Sequence, residues 1–224
     1  MAEALADITW SLDARADVRV AILTGAGSNF CSGVDFKAFR NKEDLKPRGR
    51  GFAGMIEARI DKPLIAAVEG CALAGGFEIA LACDLIVASS SACFGLPEVT
   101  RGLAVRGGAL LRLPAQLPYR IAMELLLTGA IVGVDRLAAL GLVNRVVAEG
   151  QALAAALDLA AEIAVNAPLA ISASKRIARD SRDWPTAEFF ERQAAYTAGI
   201  TLSPDADESG WGCAGKQPPR RIGP

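Results

Sequence analysis

The chain has 224 residues, of which 52% are hydrophobic, and its 24 basic and 25 acidic residues leave a formal net charge of −1. This length and composition allow one sizeable domain with a buried core, and the balanced charge gives no electrostatic reason to bind nucleic acid or an anionic membrane. Since no apolar run approaches the ~20 residues of a membrane-spanning helix and MAEALADITW lacks the features of a signal peptide, we expect a cytoplasmic protein with neither partner.

The first half of the chain alternates between apolar strands and helices. Its predicted elements are a helix within 2–16, a strand at 18–25, a loop at 26–36, a mobile charged loop at 40–51, a strand at 62–70, a helix at 75–83 and a strand at 85–89. The order strand, helix, strand is typical of a βαβ unit, so the sheet is expected to be partly parallel.

Helices dominate from Gly107 onward, because apolar residues recur there at helical spacing. The predicted helices are 107–116, 118–128, 134–140, 150–165 and 167–181, with a strand-like segment at 142–147. The tail from Asp207 is rich in glycine, proline and arginine, and we expect its end to be loose.

Two features of the composition restrict the chemistry. The sequence contains no histidine, which excludes Ser-His and Cys-His nucleophile pairs and histidine metal ligands. Its five cysteines are scattered without a Cys-x-x-Cys pair, so we expect reduced thiols. Acid–base chemistry near neutral pH must therefore use carboxylates, lysines, tyrosines, cysteines or backbone amides, and no metal site is expected.

Two adjacent glycines, Gly75 and Gly76, stand between an apolar strand and a helix in CALAGGFEIALACDLIVA (71–88). A glycine at such a junction lets another molecule approach the backbone. The first amides of a helix have no internal partner and carry partial positive charge, so they can hold an oxyanion. The alternative is that the glycines only permit close packing of strand and helix, and the pattern by itself favours this plainer interpretation.

Two glutamates follow glycine-rich or proline-containing turns. Glu78 comes just after the glycine pair, and Glu98 in FGLPEVTRGL (94–103) follows Pro97. An isolated Glu98 would be interpreted as a solvated surface residue. Together with a possible anion site made of amides, the two glutamates form a candidate acid–base pair.

The glycines of LTGAGSNF (23–30) are a weaker signal. They suggest a dinucleotide-binding loop, but Phe30 stands where the pattern needs its third glycine, and no helix follows the strand promptly. We therefore disfavour a dinucleotide site.

Taken together, these segments resemble the crotonase, or enoyl-CoA hydratase/isomerase, superfamily. AILTGAGSNFCSGVDFKAF (21–39) resembles its first oxyanion-loop segment, and KPLIAAVEGCALAGGFEIALACDLIVAS (62–89) resembles its second. FGLPEVTRGL resembles the segment with its second catalytic glutamate, while PYRIAMELLLTG (118–129) and AALGLVNRVV (138–147) match the helical region that follows. The similarity extends from residue 1 to about 219.

The resemblance implies an α/β protein with the crotonase, ClpP-like, spiral of ββα units and a C-terminal helical region. The spiral core is expected over 1–133, and the helical region, which forms trimers and covers coenzyme A, over 134–224. A homotrimer, or a hexamer of two trimers, is implied. Met1 matches a position inside the family's first long helix, so we expect its preceding β-hairpin and adenine-cradling loop to be missing.

The resemblance also implies the site residues. No separate cofactor is implied, because coenzyme A is part of the acyl-CoA substrate. The matching positions are Val34 and Gly75 for the oxyanion-hole amides, Glu78 and Glu98 for the catalytic glutamates, and Lys37 and Lys216 for contacts with coenzyme A.

Three residues depart from the family pattern. Arg106 stands where a small residue is usual, and it could pair with Glu98 or point to solvent. Cys213 and Gly215 replace phenylalanine and glutamate, which weakens the expected terminal helix.

The implied activity is that of an enoyl-CoA hydratase of fatty acid metabolism. One alternative is an enoyl-CoA isomerase or another crotonase-type acyl-CoA reaction. The other is an acyl-CoA-binding homologue without catalysis.

Overall fold

The computed structural model describes residues 1–41 and 47–208. Its helices are α1 (Ala2–Ser11), α2 (Phe36–Arg40), α3 (Gly75–Ala82), α4 (Ala109–Gln116), α5 (Tyr119–Thr128), α6 (Val134–Ala139), α7 (Ala152–Ala164), α8 (Pro168–Asp180) and α9 (Phe189–Thr197). Its strands are β1 (Ala21–Thr24), β2 (Leu64–Val68), β3 (Cys71–Leu73), β4 (Leu85–Ser89), β5 (Cys93–Gly95), β6 (Ile131–Gly133) and β7 (Arg145–Val147). All five helices predicted after Gly107 are confirmed to within a few residues.

The strands form a four-stranded sheet in the order β1-β2-β4-β7 and a three-stranded sheet in the order β3-β5-β6. Every pair in the larger sheet is parallel, and β2 pairs with β4 across α3, which confirms the predicted βαβ unit. The chain places β2 in one sheet, β3 in the other and then α3. The next two strands, β4 and β5, return to the two sheets in the same order, as expected for a spiral of ββα units.

The single strand predicted at 62–70 is wrong in extent, because β2 ends at Val68 and the chain enters the second sheet at Cys71. Gly70 makes this change of direction with φ +54, and a Cβ there would lie 2.3 Å from the carbonyl oxygen of Ser28. A side chain is therefore disfavoured by both conformation and space.

The larger sheet is covered on both faces, as is usual for parallel strands. Ile65 and Ala67 of β2 pack with Ala156 of α7 on one face. Ala66 and Val68 belong to the main core on the other face. This alternation follows from the two-residue period of a strand.

The C-terminal part of the described chain contributes to both the core and the periphery. Strand β7 pairs with β4, and α7 packs against the larger sheet. Helices α8 and α9 come after α7 in the chain. Parts of the predicted loop at 40–51 and of the tail, namely 42–46 and 209–224, lie outside the described residues.

Within those described ranges, no individual helix has both the length and the apolar composition needed to cross a membrane. The bent pair formed by 152–164 and 168–183 meets that test only when its two members are taken together.

Candidate active site

The glycine pair lies at the start of α3, where the predicted helix is confirmed from Gly75 to Ala82. Ala74 precedes it with φ +51 and ψ −126, a conformation that is costly for a residue with a side chain. Its N–H donates to the Gly95 carbonyl oxygen at 2.8 Å, which helps to hold this bend. A Cβ on Gly76 would lie 1.9 Å from the Cys31 carbonyl oxygen, so close packing does explain this second glycine.

The loop after β1 runs directly against this helix start. The Leu73 N–H donates to the Cys31 carbonyl oxygen at 2.9 Å, which ties the loop to β3. Gly33 has φ +101, and a Cβ built on it would lie 3.2 Å from the Gly75 nitrogen. Val34 is the next residue, so the structure brings the two predicted oxyanion-hole residues into one neighbourhood.

The amides of Val34 and Gly75 both remain available for a ligand. Across residues 1–41 and 47–208, neither N–H donates to a protein acceptor. Gly75 is buried and Val34 is half-buried. An unpaired amide at a helix N-terminus, with a second unpaired amide from the neighbouring loop, is suited to a negatively charged oxygen.

Glu78 lies one turn into α3 and is only 4% exposed. Its Oε1 accepts the Ala109 N–H at 3.1 Å, and the Gly107 amide is also close enough to act on the carboxylate. A Cβ on Gly107 would lie 2.3 Å from Glu78 Oε2, so the turn that begins α4 encloses this carboxylate. Burial raises the pKa of Glu78, the two amides partly oppose this, and repulsion from Glu98 raises it further.

Glu98 lies in a 3-10 turn at Pro97–Arg101 and is half-buried. Its Oε2 is buried and has no hydrogen-bond partner in the part of the chain that the structure describes. Burial raises the pKa of Glu98, while the nearby Arg101 charge opposes the increase. Repulsion from Glu98 is among the causes that raise the pKa of Glu78, so the two carboxylates are close enough to interact.

Arg112 is a neighbour of the candidate site that the sequence analysis missed. Its guanidinium donates to the carbonyl oxygens of Gly107 and Ile56, at 3.3 and 2.5 Å. Its charge lowers the pKa of Glu78, so it braces the turn around this carboxylate and partly compensates its charge. A lone arginine inside the apolar run ALLRL (109–113) was the signal available in the sequence.

The remaining predicted positions differ in outcome. Lys37 lies in α2 with an exposed side chain, and its backbone N–H donates to Asp35 Oδ1 at 2.7 Å. Arg106 was expected either to pair with Glu98 or to point to solvent. It is exposed in the structure, which supports the second of these. Lys216 and the two unusual residues near it lie outside the described residues.

Two open cavities lie near or beyond this region, and Arg112 lines the second of them. One, of about 280 Å³, opens beside Asp13, and the other, of about 760 Å³, opens beside Lys175. Neither is lined by Glu78, Glu98 or Gly75. We locate the site at the carboxylates and free amides, because acid–base chemistry needs such groups.

Comparison with known proteins decides the family. The family profile described as Enoyl-CoA hydratase/isomerase matches residues 1–201. The chain belongs to the enoyl-CoA hydratase/isomerase family.

Individual members of this family are similar over most of their length. Enoyl-CoA hydratase EchA19 of Mycobacterium tuberculosis is 42% identical over 210 residues, which cover 91% of this chain and 79% of the relative. Carnitinyl-CoA dehydratase of Escherichia coli K12 is 44% identical over 179 residues, 77% of this chain and 68% of the relative. The crystal structure of enoyl-CoA hydratase EchA1 from Mycobacterium marinum matches with a TM-score of 0.96 at 51% identity, covering 100% of this chain and 88% of that one.

The contact between Gly107 and Glu78 gives a prediction for this enoyl-CoA hydratase/isomerase family member. Gly107→Ala should lower kcat by ~100-fold, because the methyl group must displace the carboxylate and small misplacements of reacting groups cost rate of this order. The folded state should persist, since a side-chain end gives way more easily than backbone. Steady-state kinetics and thermal unfolding measure the two effects.

Gly133→Ala is the matched control, because no atom lies within 4 Å of a Cβ at that position. It should leave kcat unchanged. Equal kcat values for the two variants would contradict the proposed enclosure of Glu78.

The raised pKa of Glu78 predicts that its charged carboxylate lowers the stability of the folded protein at neutral pH. In the folded state this carboxyl holds its proton more tightly than in the unfolded chain. Its stabilising contribution is therefore complete below the unfolded pKa and is lost as pH rises through the folded pKa. Glu78→Gln should raise the melting temperature at neutral pH, with a difference that shrinks below about pH 4.

Glu124→Gln is the comparison variant, because the pKa of Glu124 is lowered where that of Glu78 is raised. The hydrogen bond from Arg136 lowers the pKa of Glu124, so losing this charge should not stabilise the protein at neutral pH. Thermal unfolding of both variants across the pH range tests the prediction. A Glu78→Gln midpoint equal to that of the wild type at neutral pH would show that burial of this charge has no net cost.

Proposed function

We propose that this chain is an enoyl-CoA hydratase, which adds water across the 2,3 double bond of an enoyl-CoA thioester. The observation that carries the proposal is the pair of glutamates with raised pKa values beside two unpaired backbone amides. The relatives named enoyl-CoA hydratase and carnitinyl-CoA dehydratase support an acyl-CoA hydratase reaction.

The amides of Val34 and Gly75 would receive the thioester carbonyl oxygen. When water adds at the β-carbon, negative charge builds on that oxygen as an enolate forms. Fixed N–H donors stabilise this charge more strongly than the neutral carbonyl, so they lower the barrier instead of only binding substrate. The partial positive charge at the start of α3 acts in the same direction.

The two glutamates would handle the protons. One accepts a proton from the attacking water, and the other delivers a proton to the α-carbon, so that one water molecule is added in total. Repulsion between the carboxylates favours a single proton on the pair. One glutamate is then ready to accept a proton while the other is ready to donate one.

Coenzyme A enters as part of the substrate in this proposal. Lys37 and Lys216 would attract its phosphates, as the family resemblance implies. The proposal also includes a homotrimer or hexamer, a cytoplasmic location and a role in fatty acid metabolism. Residues 134–224 would form the region that supports assembly and covers the coenzyme.

A panel of enoyl-CoA thioesters of increasing acyl length tests the activity. A hydratase removes the conjugated double bond, so the enone absorbance should fall and a 3-hydroxyacyl-CoA should appear. The same panel must include 3-enoyl-CoA substrates, from which an isomerase would produce new enone absorbance.

The double variant Glu78→Gln/Glu98→Gln is the control for background hydration. Hydration by the wild type above this control supports the proposal. Enone formation alone would support the isomerase, and no turnover of any thioester would support an acyl-CoA-binding protein.

A further inference from the structure

Two cysteines outside the proposed site face each other across the smaller sheet. Cys71 of β3 and Cys93 of β5 are direct partners in the register of this parallel pair. Their sulfur atoms are 3.2 Å apart, and both residues are half-buried. Neighbouring strands lie ~4.8 Å apart, which falls within the Cα separations that a disulfide spans.

Backbone hydrogen bonds on both sides hold this register. The Cys93 N–H donates to the Gly70 carbonyl oxygen at 3.0 Å, and the Ala74 N–H donates to the Gly95 carbonyl oxygen at 2.8 Å. The two thiols are therefore placed together by the fold itself and not by a chance meeting of mobile side chains. A bond between them would not require the strands to separate.

The two thiols are not equivalent. Cys93 donates its S–H to the sulfur of Cys71 at 3.2 Å. Burial and the neighbouring Cys71 raise the pKa of Cys93 to about 11. Cys71 is accordingly the attacking thiol and Cys93 the second thiol, while Cys83 is a buried cysteine whose pKa burial raises to about 12.

We propose that Cys71 and Cys93 form a dithiol modification site that a small organic disulfide, such as oxidised glutathione, converts into an intramolecular disulfide. The Cys71 thiolate attacks one sulfur of the reagent and forms a mixed disulfide, releasing one glutathione thiolate. Cys93 then loses its proton, attacks the Cys71 sulfur and displaces the second glutathione. Two protein thiols are oxidised, and one glutathione disulfide is reduced to two glutathione molecules.

The test uses the folded 224-residue protein with oxidised glutathione and intact-mass measurement under non-reducing conditions. The expected product has lost two hydrogen atoms and recovers them with dithiothreitol. No lysine or arginine lies between residues 63 and 100, so trypsin leaves both cysteines in one peptide. Sequential alkylation with two different reagents, before and after reduction, followed by fragmentation, locates the bonded pair.

Single substitutions separate the two steps. Cys93→Ser should stop at a mixed disulfide on Cys71, Cys71→Ser should leave Cys93 unmodified, and Cys83→Ala should close like the wild type. Absence of hydrogen loss in the wild type, or a bond that includes Cys31 or Cys213, would overturn the proposal. A folded Cys93→Ser protein without the glutathione adduct would overturn it as well, with circular dichroism as the check on folding.

Discussion

Replacing either Glu78 or Glu98 with glutamine should lower the rate of enoyl-CoA hydration by ~100-fold or more, because a positioned acid or base contributes 10²–10⁴. Glutamine keeps the shape of the side chain but can neither accept the proton of water nor deliver one to carbon. In the proposed mechanism both carboxylates act in one turnover, so each single variant should lose most of the activity. The loss should appear in kcat, while the affinity for an acyl-CoA product analogue changes little.

Glu124→Gln is the matched control, because Glu124 is an exposed carboxylate paired with Arg136. Its kcat should equal that of the wild type. A different pattern of losses in the Glu78→Gln and Glu98→Gln variants would change the proposed reaction. If Glu78→Gln kept full hydration while Glu98→Gln abolished double-bond migration, the isomerase reaction would replace the hydratase.

The local elements around the site were predictable from sequence because their signals are local. The helix predicted at 75–83 is α3, Gly75–Ala82, and the strand predicted at 85–89 is β4. An apolar run bounded by glycine or by a charged residue sets such elements within a few residues. The resemblance to the family supplied a prediction that the pattern could not, namely which amides and carboxylates act together.

The second sheet was not predictable in the same way. Strands β3, β5 and β6 have three residues each, too few to show a period of two. Their existence depends on distant contacts, such as the isolated bridge between Cys31 and Ala72. A sequence pattern cannot report a pairing that the rest of the fold creates.

The environment of Glu78 was hidden for the same reason. Its partner Ala109 is 31 positions away, and Arg112 reaches the Ile56 carbonyl oxygen across 56 positions. No spacing rule connects these residues. The glycines at 107–108 were visible, but they gave no indication of which side chain they make room for.

The candidate site contains features that lower the stability of the folded state. Ala74 holds a costly backbone conformation, Glu78 is a buried carboxylate, and Glu98 has a buried oxygen without a hydrogen-bond partner in the described ranges. Strain and unpaired polar groups cluster at sites where a ligand completes the interactions. Ala74 and Glu78 lie at the same helix start, and the electrostatic effect of Glu98 reaches Glu78, so the three features together support the proposed active site more strongly than any one of them.

Removing the Gly75 N–H should be the most direct test of the proposed oxyanion hole. Gly75→Pro deletes this donor, and proline is otherwise accepted at the first position of a helix. Loss of one oxyanion donor typically costs 10²–10³ in kcat. Since a Cβ on Gly75 would lie 2.3 Å from the Phe52 ring, the substitution is best made in a Phe52→Ala background.

Gly75→Ala in the same background is the matched control, because it adds the Cβ but keeps the N–H. The proline variant should have a kcat ~100-fold or more below that of the alanine variant. Ala74 has φ +51, and a following proline disfavours many backbone conformations, so thermal unfolding must show that both proteins are folded at the assay temperature. Equal kcat values in two folded proteins would mean that the Gly75 amide does not stabilise the developing charge, and the oxyanion hole would have to be sought elsewhere.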